Sequence, residues 1–271
     1  MLGSKLTDQE YLKTEQYKTA ANLNARQQLH ERFSTNPRGW LKWAFDQLEL
    51  GEAGRVLEVG CGSGDLWMQN RERIPAGWEV VLSDVSLGMV SQARRNLATN
   101  GKSFMFGVAD VQLLPYPGES FDAVIANHML YHIPERGRVF SEICRVLKPG
   151  GRLFAGTNGQ SHLKEIGELI HRFDGQIAPR KDIYPFGLEN GAEQLEEYFT
   201  DVSLLLYPDS LRVTEAEPLV AYIASLSGIS DYSLSPEWLS GLGEFITGEL
   251  AQRGSIPITK SVGLFIASKP G

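Results

Sequence analysis

Three glycines at alternate positions follow an apolar segment and are the most chemically informative feature of the sequence. The segment reads Val56-Leu57-Glu58-Val59-Gly60-Cys61-Gly62-Ser63-Gly64-Asp65, and a helical pattern follows it. Glycine permits positive φ angles and lets a ligand approach the backbone without meeting a Cβ atom. A helix that begins directly after the glycines presents backbone amides that have no partner inside the helix. The spacing therefore predicts a strand, a ligand-binding turn and a helix, in that order.

The residues after the glycines disfavour two classes of phosphate ligand. A nucleoside triphosphate loop ends in Gly-Lys-Ser/Thr, whereas Gly64 is followed by Asp65-Leu66. A dinucleotide-binding fingerprint needs a glycine three places after Gly62, where Asp65 stands. An aspartate at the start of the helix would also repel a pyrophosphate from the positive end of the helix dipole.

The segment Glu58–Gly64 resembles the first motif of the class I S-adenosylmethionine-dependent methyltransferases. Further segments continue the resemblance in the family's order, over residues 52 to 160. They are Leu82–Ser86, Gly107–Val111, Phe121–His128 and Leu147–Leu153. The resemblance implies that S-adenosylmethionine is the cofactor and S-adenosylhomocysteine the product.

At the adenosine end of the cofactor, the resemblance implies roles for two aspartates at strand ends. Asp84 would accept hydrogen bonds from both ribose hydroxyls, because a carboxylate can meet two adjacent donors. Asp110 would accept from the adenine amine, while the amide of Val111 meets a ring nitrogen. Structural alternatives stay open, since Asp84 is also placed to cap a helix that begins near Ser86, and Asp110 to cap the turn at residues 111–114.

At the methionine end, backbone carbonyls near Gly60 and Asn127 are expected to receive the ammonium group of the cofactor. Glu58 would stabilise that charge, since a carboxylate buried in an apolar strand is costly without a partner. Tyr17 is expected near the transferred methyl group. The full set of residues predicted to bind the cofactor is Tyr17, Glu58, Gly60, Cys61, Gly62, Ser63, Gly64, Asp84, Val85, Ser86, Met89, Ala109, Asp110, Val111, Asn127 and His128.

The residues after the fourth strand bear on the methyl acceptor. Enzymes that methylate adenine N6 or glutamine carry Asn-Pro-Pro-aromatic there, whereas this chain reads Asn127-His128-Met129-Leu130. Enzymes that methylate cytosine C5 need a nucleophilic cysteine after a proline, and neither Cys61 nor Cys144 fits. The segment Leu130-Tyr131-His132 is instead similar to the small-molecule branch of the family. A small-molecule acceptor is therefore predicted, with an RNA or protein methyltransferase and a non-catalytic cofactor-binding regulator as alternatives.

His128, Tyr131 and His132 are the candidates for a catalytic base, because a hydroxyl or amine acceptor must lose a proton around transfer. A packing role is open for His132 and Tyr131, so no base is assigned. Although two histidines lie four apart, Met129 stands where a zinc protease needs glutamate, and no metal site is predicted. The sulfonium is already an activated leaving group. In-line alignment away from water would therefore supply much of the catalysis.

The elements that must position these residues alternate along the chain. Short apolar segments are predicted as strands, and amphipathic segments between them as helices. The strands are residues 55–59, 79–83, 104–108, 121–126 and 151–157, with two more over 202–207 and 258–268. This alternation predicts a Rossmann-like α/β fold: a seven-stranded, mostly parallel sheet with helices on both faces and a helical lid.

Three regions are predicted. Residues 1–50 form an N-terminal helical cap, 51–175 the S-adenosylmethionine-binding core, and 176–271 the remaining strands with an inserted helical lid over 211–255. We expect residues 1–30 to fold over the cofactor. Aromatic side chains of the outer segments would line the acceptor pocket or belong to the core: Tyr11, Tyr17, Phe33, Trp40, Tyr184, Phe186, Tyr222 and Trp238.

The composition excludes several classes of protein. With 42% hydrophobic residues among 271, the chain can bury a core and is not intrinsically disordered. A formal net charge of −7 disfavours a nucleic-acid-binding protein, which usually carries a basic face. No apolar run matches a signal peptide or membrane span, and two cysteines cannot build a disulfide framework. We therefore predict a cytoplasmic protein with a small-molecule substrate and no nucleic-acid or membrane partner, and leave its oligomeric state open.

Overall fold

A seven-stranded sheet forms the centre of the computed structural model, which describes residues 5, 7–16, 21–98, 104–178, 184–226 and 234–271. The strands lie in the order β3-β2-β1-β4-β5-β9-β6. They are β1 (Ala53–Val59), β2 (Gly77–Asp84), β3 (Phe104–Val108), β4 (Phe121–Asn127), β5 (Leu147–Asn158), β6 (Thr200–Leu206) and β9 (Val262–Ser268). The first five strands pair in parallel, and β9 runs antiparallel between β5 and β6. The predicted Rossmann-like fold with a mostly parallel seven-stranded sheet is confirmed.

Helices connect and cover the strands. They are α1 (Gln9–Tyr11), α2 (Ala21–Phe33), α3 (Trp40–Asp46), α4 (Asp65–Gln69), α5 (Leu87–Leu97), α6 (Arg136–Val146), α7 (Lys164–Phe173), α8 (Gly191–Glu196), α9 (Ala216–Ala224) and α10 (Pro236–Arg253). Short 3-10 turns lie at Arg71–Arg73 and Leu130–His132, and a π-helical turn at Leu12–Gln16. In the described ranges, none of the helices has the length and apolar content needed to cross a bilayer.

The strand predicted over residues 258–268 is in fact two strands that belong to different sheets. Residues Ile256–Thr259 form β8, which pairs antiparallel with β7 (Ser210–Val213), a strand that the sequence did not predict. The chain then turns at Lys260 and Ser261 and enters β9 of the main sheet. The apolar pattern continues across this corner, because both strands bury a face, so the pattern alone did not reveal the turn.

Apolar side chains on both faces of the sheet stabilise it. The helix α6 shows how the sequence directs this packing, because Val139, Phe140, Ile143 and Val146 recur at helical spacing and are each 1% exposed or less. Full burial of such a side chain contributes about 1.5–3 kcal/mol. The opposite face packs α3, α4 and α5 against β1 and β2, with Trp67 fully buried at its centre.

A third apolar cluster joins the segment between β6 and β9 to the rest of the chain. It contains Leu219 and Ile223 of α9, Leu242 and Ile246 of α10, and buried residues of α2, α7, β7 and β8. The segment predicted as a lid therefore packs on α2 near the start of the chain and on α7, which follows β5. The strands β7 and β8 pair with each other, so the beginning and the end of this inserted segment lie next to one another beside the main sheet.

The glycine at position 248 in α10 offers a test of this packing. Gly248 is exposed, and a Cβ added there would meet no atom within 4 Å. Gly248→Ala should raise the free energy of unfolding by about 0.5–1 kcal/mol, because alanine loses less conformational entropy on entering a helix. Urea denaturation measures this difference. In Gly241→Ala the new Cβ would lie 3.1 Å from Phe173 Cζ, so that variant should gain less or lose stability. Equal gains in both variants would contradict the described packing of α10.

Candidate active site

A cavity of about 610 Å³ opens at the carboxyl ends of the parallel strands. The strand β1 lies between β2 and β4, so the order of strands reverses here, which is where ligands bind in open α/β sheets. Most residues predicted from the sequence line this cavity. They are Glu58, Gly60, Cys61, Gly62, Asp84, Val85, Ser86, Met89, Ala109, Asp110, Val111, Asn127, His128, Tyr131 and His132.

Two described residues of the predicted cofactor set, Ser63 and Gly64, are not part of this lining. Ser63 is buried, and its hydroxyl donates to Asp65 Oδ2 at 2.5 Å. Gly64 adopts φ 80° at the start of α4, where a Cβ would lie 3.1 Å from Leu97 Cδ1. Both residues lie on the side of the glycine turn that packs against α4 and α5, and they support its conformation from there. Tyr17 lies outside the described residues.

Contacts with neighbouring segments fix the conformation of the glycine turn. Gly60 and Gly62 adopt φ 65° and 54°, in the left-handed region that favours glycine. A Cβ on Gly60 would lie 2.9 Å from Met129 Cβ, so no larger residue fits between the turn and the segment that follows β4. The amide of Cys61 donates to the carbonyl of Ser83 at 3.0 Å, which ties the turn to the end of β2. The backbone of the turn is therefore open to a ligand on its cavity side.

Asp84 is a buried carboxylate at the end of β2. Its Oδ2 accepts from the amide of Gly62 at 3.0 Å, and its Oδ1 accepts from the amide of Ser86 at 2.8 Å. Burial raises the pKa of Asp84, while these backbone hydrogen bonds oppose the shift. The side chain that caps α5 is Ser86, whose hydroxyl accepts from the amide of Met89 at 3.3 Å. Asp84 is therefore not the helix cap, and its carboxylate lines the cavity beside the turn.

Asp110 caps the turn after β3 and also lines the cavity. Its Oδ1 accepts from the amide of Gln112 at 2.9 Å, which closes the turn after β3. The residue also lines the cavity, together with Ala109 and Val111. A turn-capping carboxylate of this kind is held rigidly, so its second oxygen can present a fixed acceptor to a ligand amine.

Glu58 is 2% exposed within β1, and its Oε2 accepts from the indole Nε1 of Trp67 at 2.7 Å. Burial raises the pKa of the Glu58 carboxyl to about 8; the bond from Trp67 lowers it, and the charges of Asp65 and Asp84 raise it. Without a ligand the group is mainly protonated at pH 7. A cation bound in the cavity would favour its ionised form.

Asn127 and Trp40 form a wall where β4 ends. The indole Nε1 of Trp40 donates to Asn127 Oδ1 at 3.0 Å, and the Trp40 ring lies 5.0 Å from that of His128. His128 adopts φ 55°, and its amide donates to the carbonyl of Gly156 at 2.9 Å. A Cβ on Gly156 would lie 2.6 Å from Asn127 Oδ1 and 2.8 Å from Trp40 Cζ2. This wall therefore depends on a glycine in the neighbouring strand.

Four of the five histidines of the chain line the cavity, although the sequence pointed to only two of them. His30 on α2 and His162 before α7 join His128 and His132. Burial lowers the pKa of His30 to about 3 and that of His128 to about 4, and the positive charge of Lys260 adds to both shifts. Burial also lowers the pKa of His162 well below its usual range. These three imidazoles are neutral at pH 7.

No local spacing connects these additional residues, because each lies on a different element of the fold. Lys260, at the corner between β8 and β9, also lines the cavity. Of the aromatic residues considered for the pocket, Trp40, Tyr184 and Tyr222 line it. Phe33 and Phe186 belong to apolar clusters, and Trp238 packs on Phe173. In the described part of the chain, no three His, Cys, Asp or Glu side chains are grouped so as to hold a metal ion.

Comparison with known proteins shows that the region around the glycine turn is similar to methyltransferases. Residues 57–155 match a family model described as a methyltransferase domain. The chain is 26% identical over 145 residues to the ubiquinone/menaquinone biosynthesis C-methyltransferase UbiE of Pectobacterium carotovorum, covering 53% of this chain and 58% of that protein. It is 31% identical over 206 residues to the 27-O-demethylrifamycin SV methyltransferase of Amycolatopsis mediterranei, covering 73% and 64%. The chain thus spans somewhat more than half the length of these curated relatives.

Solved structures share the fold at low sequence identity. Phosphoethanolamine N-methyltransferase 2 of Haemonchus contortus, in complex with S-adenosylmethionine, matches with a TM-score of 0.60 and 20% identity, over 99% of this chain and 61% of that chain. The [4+2]-cyclase SpnF matches with a TM-score of 0.52 and 21% identity, over 85% and 79%. These likenesses concern the fold, which hosts more than one reaction.

The raised pKa of Glu58 predicts that cofactor binding releases a proton. We expect S-adenosylhomocysteine, which carries an ammonium group, to convert Glu58 to its ionised form at pH 7 with release of roughly one proton. Calorimetric titration in buffers of different ionisation enthalpy measures this number. Glu58→Gln cannot ionise, so the release should disappear; the same release in that variant would assign the proton to another group.

Gly156 predicts a second effect on binding. Gly156→Ala should push Trp40 and Asn127 apart and weaken the binding of S-adenosylhomocysteine by about tenfold, because one hydrogen bond of the wall is lost. Tryptophan fluorescence measures the displacement of Trp40, and calorimetry measures the loss of affinity. Gly175→Ala is a suitable control, since a Cβ there meets nothing within 4 Å. Unchanged affinity in a folded Gly156→Ala protein would show that the wall does not contact the cofactor.

Proposed function

The chain contains a methyltransferase domain of the class I, S-adenosylmethionine-dependent family, and from this premise we propose that it methylates a small molecule by in-line displacement. One observation carries the proposal: a single continuous cavity joins the acid-lined glycine turn to a histidine-lined end under α2. Such a cavity can hold a cofactor and an acceptor in contact while it limits access of water.

The residues at the glycine turn fit the cofactor. The backbone of the turn is accessible to a ligand at the two positive-φ glycines, Gly60 and Gly62. A Cβ on Gly62 would project into the cavity and lie 3.4 Å from Leu23 Cδ2. Asp84 would accept from the ribose hydroxyls, Asp110 from the adenine amine, and Glu58 would balance the ammonium. These carboxylates suit a ligand that carries two positive charges, one on the ammonium and one on the sulfonium.

When bound, S-adenosylmethionine supplies a methyl group whose carbon–sulfur bond breaks, with its electron pair left on sulfur, as a lone pair of the acceptor bonds to the methyl carbon. The chain's own residues orient the two partners. Trp40, fixed by Asn127 and packed on His128, forms one wall of the cavity. A neutral imidazole or water takes the proton that the acceptor loses.

Three observations support a small-molecule acceptor. The histidine-lined end is enclosed by α2, Tyr184 and Tyr222, which suits a compact molecule better than a polymer. Of the relatives named above, one is named for ubiquinone and menaquinone biosynthesis and the other for 27-O-demethylrifamycin SV, which are small molecules. A net charge of −7 also weakens association with RNA.

We further propose that the helical segments over residues 1–50 and 211–255 act as the cover of this cavity, above the core of residues 51–175 and the remaining strands of 176–271. The helix α2 connects the parts. Gln27 Nε2 donates to Asp65 Oδ2 of the glycine turn at 2.8 Å, and Arg26 donates to the hydroxyl and carbonyl of Ser225 beside α9. Movement of α9 would therefore be transmitted through α2 to the cofactor end.

The test of the proposed function has two parts. Asp84→Ala should weaken the binding of S-adenosylhomocysteine by about 2–4 kcal/mol in calorimetry, because charge-assisted hydrogen bonds are lost. Asp122→Ala, which removes a carboxylate bound to Arg55 and Lys148 away from the cavity, should leave affinity unchanged. Label from methyl-labelled cofactor should then enter a small-molecule fraction of a cell extract. Unchanged affinity in folded Asp84→Ala, or label found only in RNA or protein, would overturn the proposal.

A further inference from the structure

A buried ion pair holds Lys260 at the histidine-lined end of the cavity. Its ammonium pairs with the carboxylate of Asp209, and the two side chains are 5% and 0% exposed. Lys260 lies between β8 and β9, and Asp209 lies between β6 and β7, so the pair joins the two connections between the sheets. Lys260 lines the cavity whereas Asp209 does not. A ligand therefore meets the cation of the pair and not its anion.

The carboxylate of Asp209 is saturated with donors from its own surroundings. Besides Lys260, it accepts from the hydroxyl of Ser34 at 2.6 Å, from the amide of Asn36 at 3.0 Å and from the amide of Ser210 at 2.8 Å. The hydroxyl of Thr35 also donates to it at 3.3 Å, so five donors surround the roughly four lone-pair sites that a carboxylate offers. Asp209 therefore positions the lysine without needing a contact from a ligand.

The ammonium of Lys260 keeps donor capacity for a ligand. It has three N–H groups, and in the described residues the structure records one hydrogen bond from it, to Asp209. The ring of Tyr207 lies 5.2 Å from the nitrogen and stabilises the charge through its π face. Burial lowers the pKa of Lys260, and the hydrogen bond and charge of Asp209 oppose that shift, so the pair favours the charged form.

His162 adds a second, neutral donor. Its Nδ1 accepts from the amide of Ser261 at 3.3 Å, so the single N–H of the neutral ring is on Nε2. The ring of His30 stacks on it with centroids 6.0 Å apart, and Tyr222 meets His30 edge-on at 6.1 Å. The Nδ1 atom of His30 is buried and has no hydrogen-bond partner among the described residues. The subsite thus combines two donors with flat aromatic walls.

The carboxylates of the cavity are engaged elsewhere. Asp65 accepts from Ser63 and Gln27 at the glycine turn. Glu31 is exposed and accepts weakly from Gln69 at 3.4 Å. Glu58, Asp84 and Asp110 lie at the end of the cavity that the glycine turn forms. The cavity is therefore acidic where a cationic cofactor would lie and carries a fixed cation where the acceptor would lie.

We propose that Lys260 and His162 form a subsite that binds the ionised oxygen of a phenol or enol, and that the methyl acceptor belongs to this class of acidic hydroxyl compounds. This inference rests on the proposed function. A protonated amine would be repelled by Lys260, whereas an oxygen anion gains two charge-assisted or neutral hydrogen bonds. The aromatic walls suit a planar ring with delocalised charge better than a strongly hydrated carboxylate. The proton of the hydroxyl passes to solvent on binding, which leaves the oxygen and its conjugated carbons as nucleophiles.

The probe 4-nitrophenol tests the subsite without turnover, because its phenolate absorbs visible light. Added to the full chain saturated with S-adenosylhomocysteine, in a buffer that keeps the free probe protonated, it should bind and become ionised. Lys260→Met and His162→Phe should each weaken binding by about tenfold or more. Lys260→Met leaves the carboxylate of Asp209 buried and unpaired and can therefore fold poorly. In that case the double variant Lys260→Met/Asp209→Asn, which has no unpaired buried carboxylate, replaces it and should show the same loss of binding.

Matched controls separate this subsite from general effects of charge. Lys148→Met removes a lysine that pairs with Asp122 away from the cavity, and it should leave probe binding and ionisation unchanged. Equal binding of 4-nitrophenol to the wild type and to folded Lys260 variants would overturn the inference. Tighter, Lys260-dependent binding of 4-nitrobenzoate would also overturn it, since it would identify a carboxylate site.

Failure of this inference differs from failure of the proposed function. If the wild type does not bind S-adenosylhomocysteine, or transfers label to no acceptor, the proposed function itself is wrong. If cofactor binds and label enters amines but no phenol or enol, methyl transfer stands and the subsite assignment is wrong. Label in phenolic or enolic acceptors, lost in Lys260→Met with unchanged S-adenosylhomocysteine affinity, supports both.

Discussion

The carboxylate of Asp84 holds together the part of the molecule on which the cavity depends. One oxygen accepts from Gly62 in the turn after β1, and the other accepts from Ser86 at the start of α5. The glycine turn has few side chains of its own, so its conformation has to be imposed from outside. A buried carboxylate that accepts from two loops does this, and it keeps an acidic surface at the place where a ribose would bind. The position of the cofactor end thus follows from the length and register of β2.

The cavity has opposite polarity at its two ends, and different parts of the chain produce each polarity. Acidic residues at the ends of the first three strands line one end. The cation Lys260, held by Asp209, lies at the other with neutral histidines around it. Desolvation keeps those histidines uncharged, so they add no positive charge to that of the lysine. A cationic methyl donor and an anionic acceptor would each find a complementary end, which aligns them for transfer.

The helix α2 links the two ends to the cover. Along one helix, Gln27 contacts Asp65 directly after the glycine turn, His30 belongs to the histidine-lined end, and Arg26 contacts Ser225 at the end of α9. Its apolar residues Leu29 and Phe33 pack in the cluster of the inserted helices. A segment with a weak amphipathic pattern in sequence therefore has a central position in the structure. Tertiary contacts, rather than helix propensity, determine where it lies.

Local sequence determined the Rossmann-like core and much of its cofactor end. The apolar strands, the glycine spacing and the acidic residues at strand ends are close in sequence to the turns that they shape, so their positions follow from alternation and from the parallel order of the sheet. For that reason the sequence alone suffices to place Asp84, Asp110 and the positive-φ glycines at one edge of the sheet. The sequence did not decide whether Asp84 or Ser86 caps α5, since both have side chains suited to that position.

Tertiary structure alone determined the histidine-lined end of the cavity. His30, His162 and Lys260 come from a helix, a loop and a corner between strands, and no spacing in the sequence relates them. The corner at Lys260 was hidden because β8 and β9 are both apolar, although they belong to different sheets. The lysine becomes buried only when the connection after β6 brings Asp209 beside it, and the low pKa values of the histidines follow from that enclosure. The burial of the lysine and the pKa values of the histidines depend on desolvation by segments that are distant in sequence, and the sequence alone does not show which segments come together.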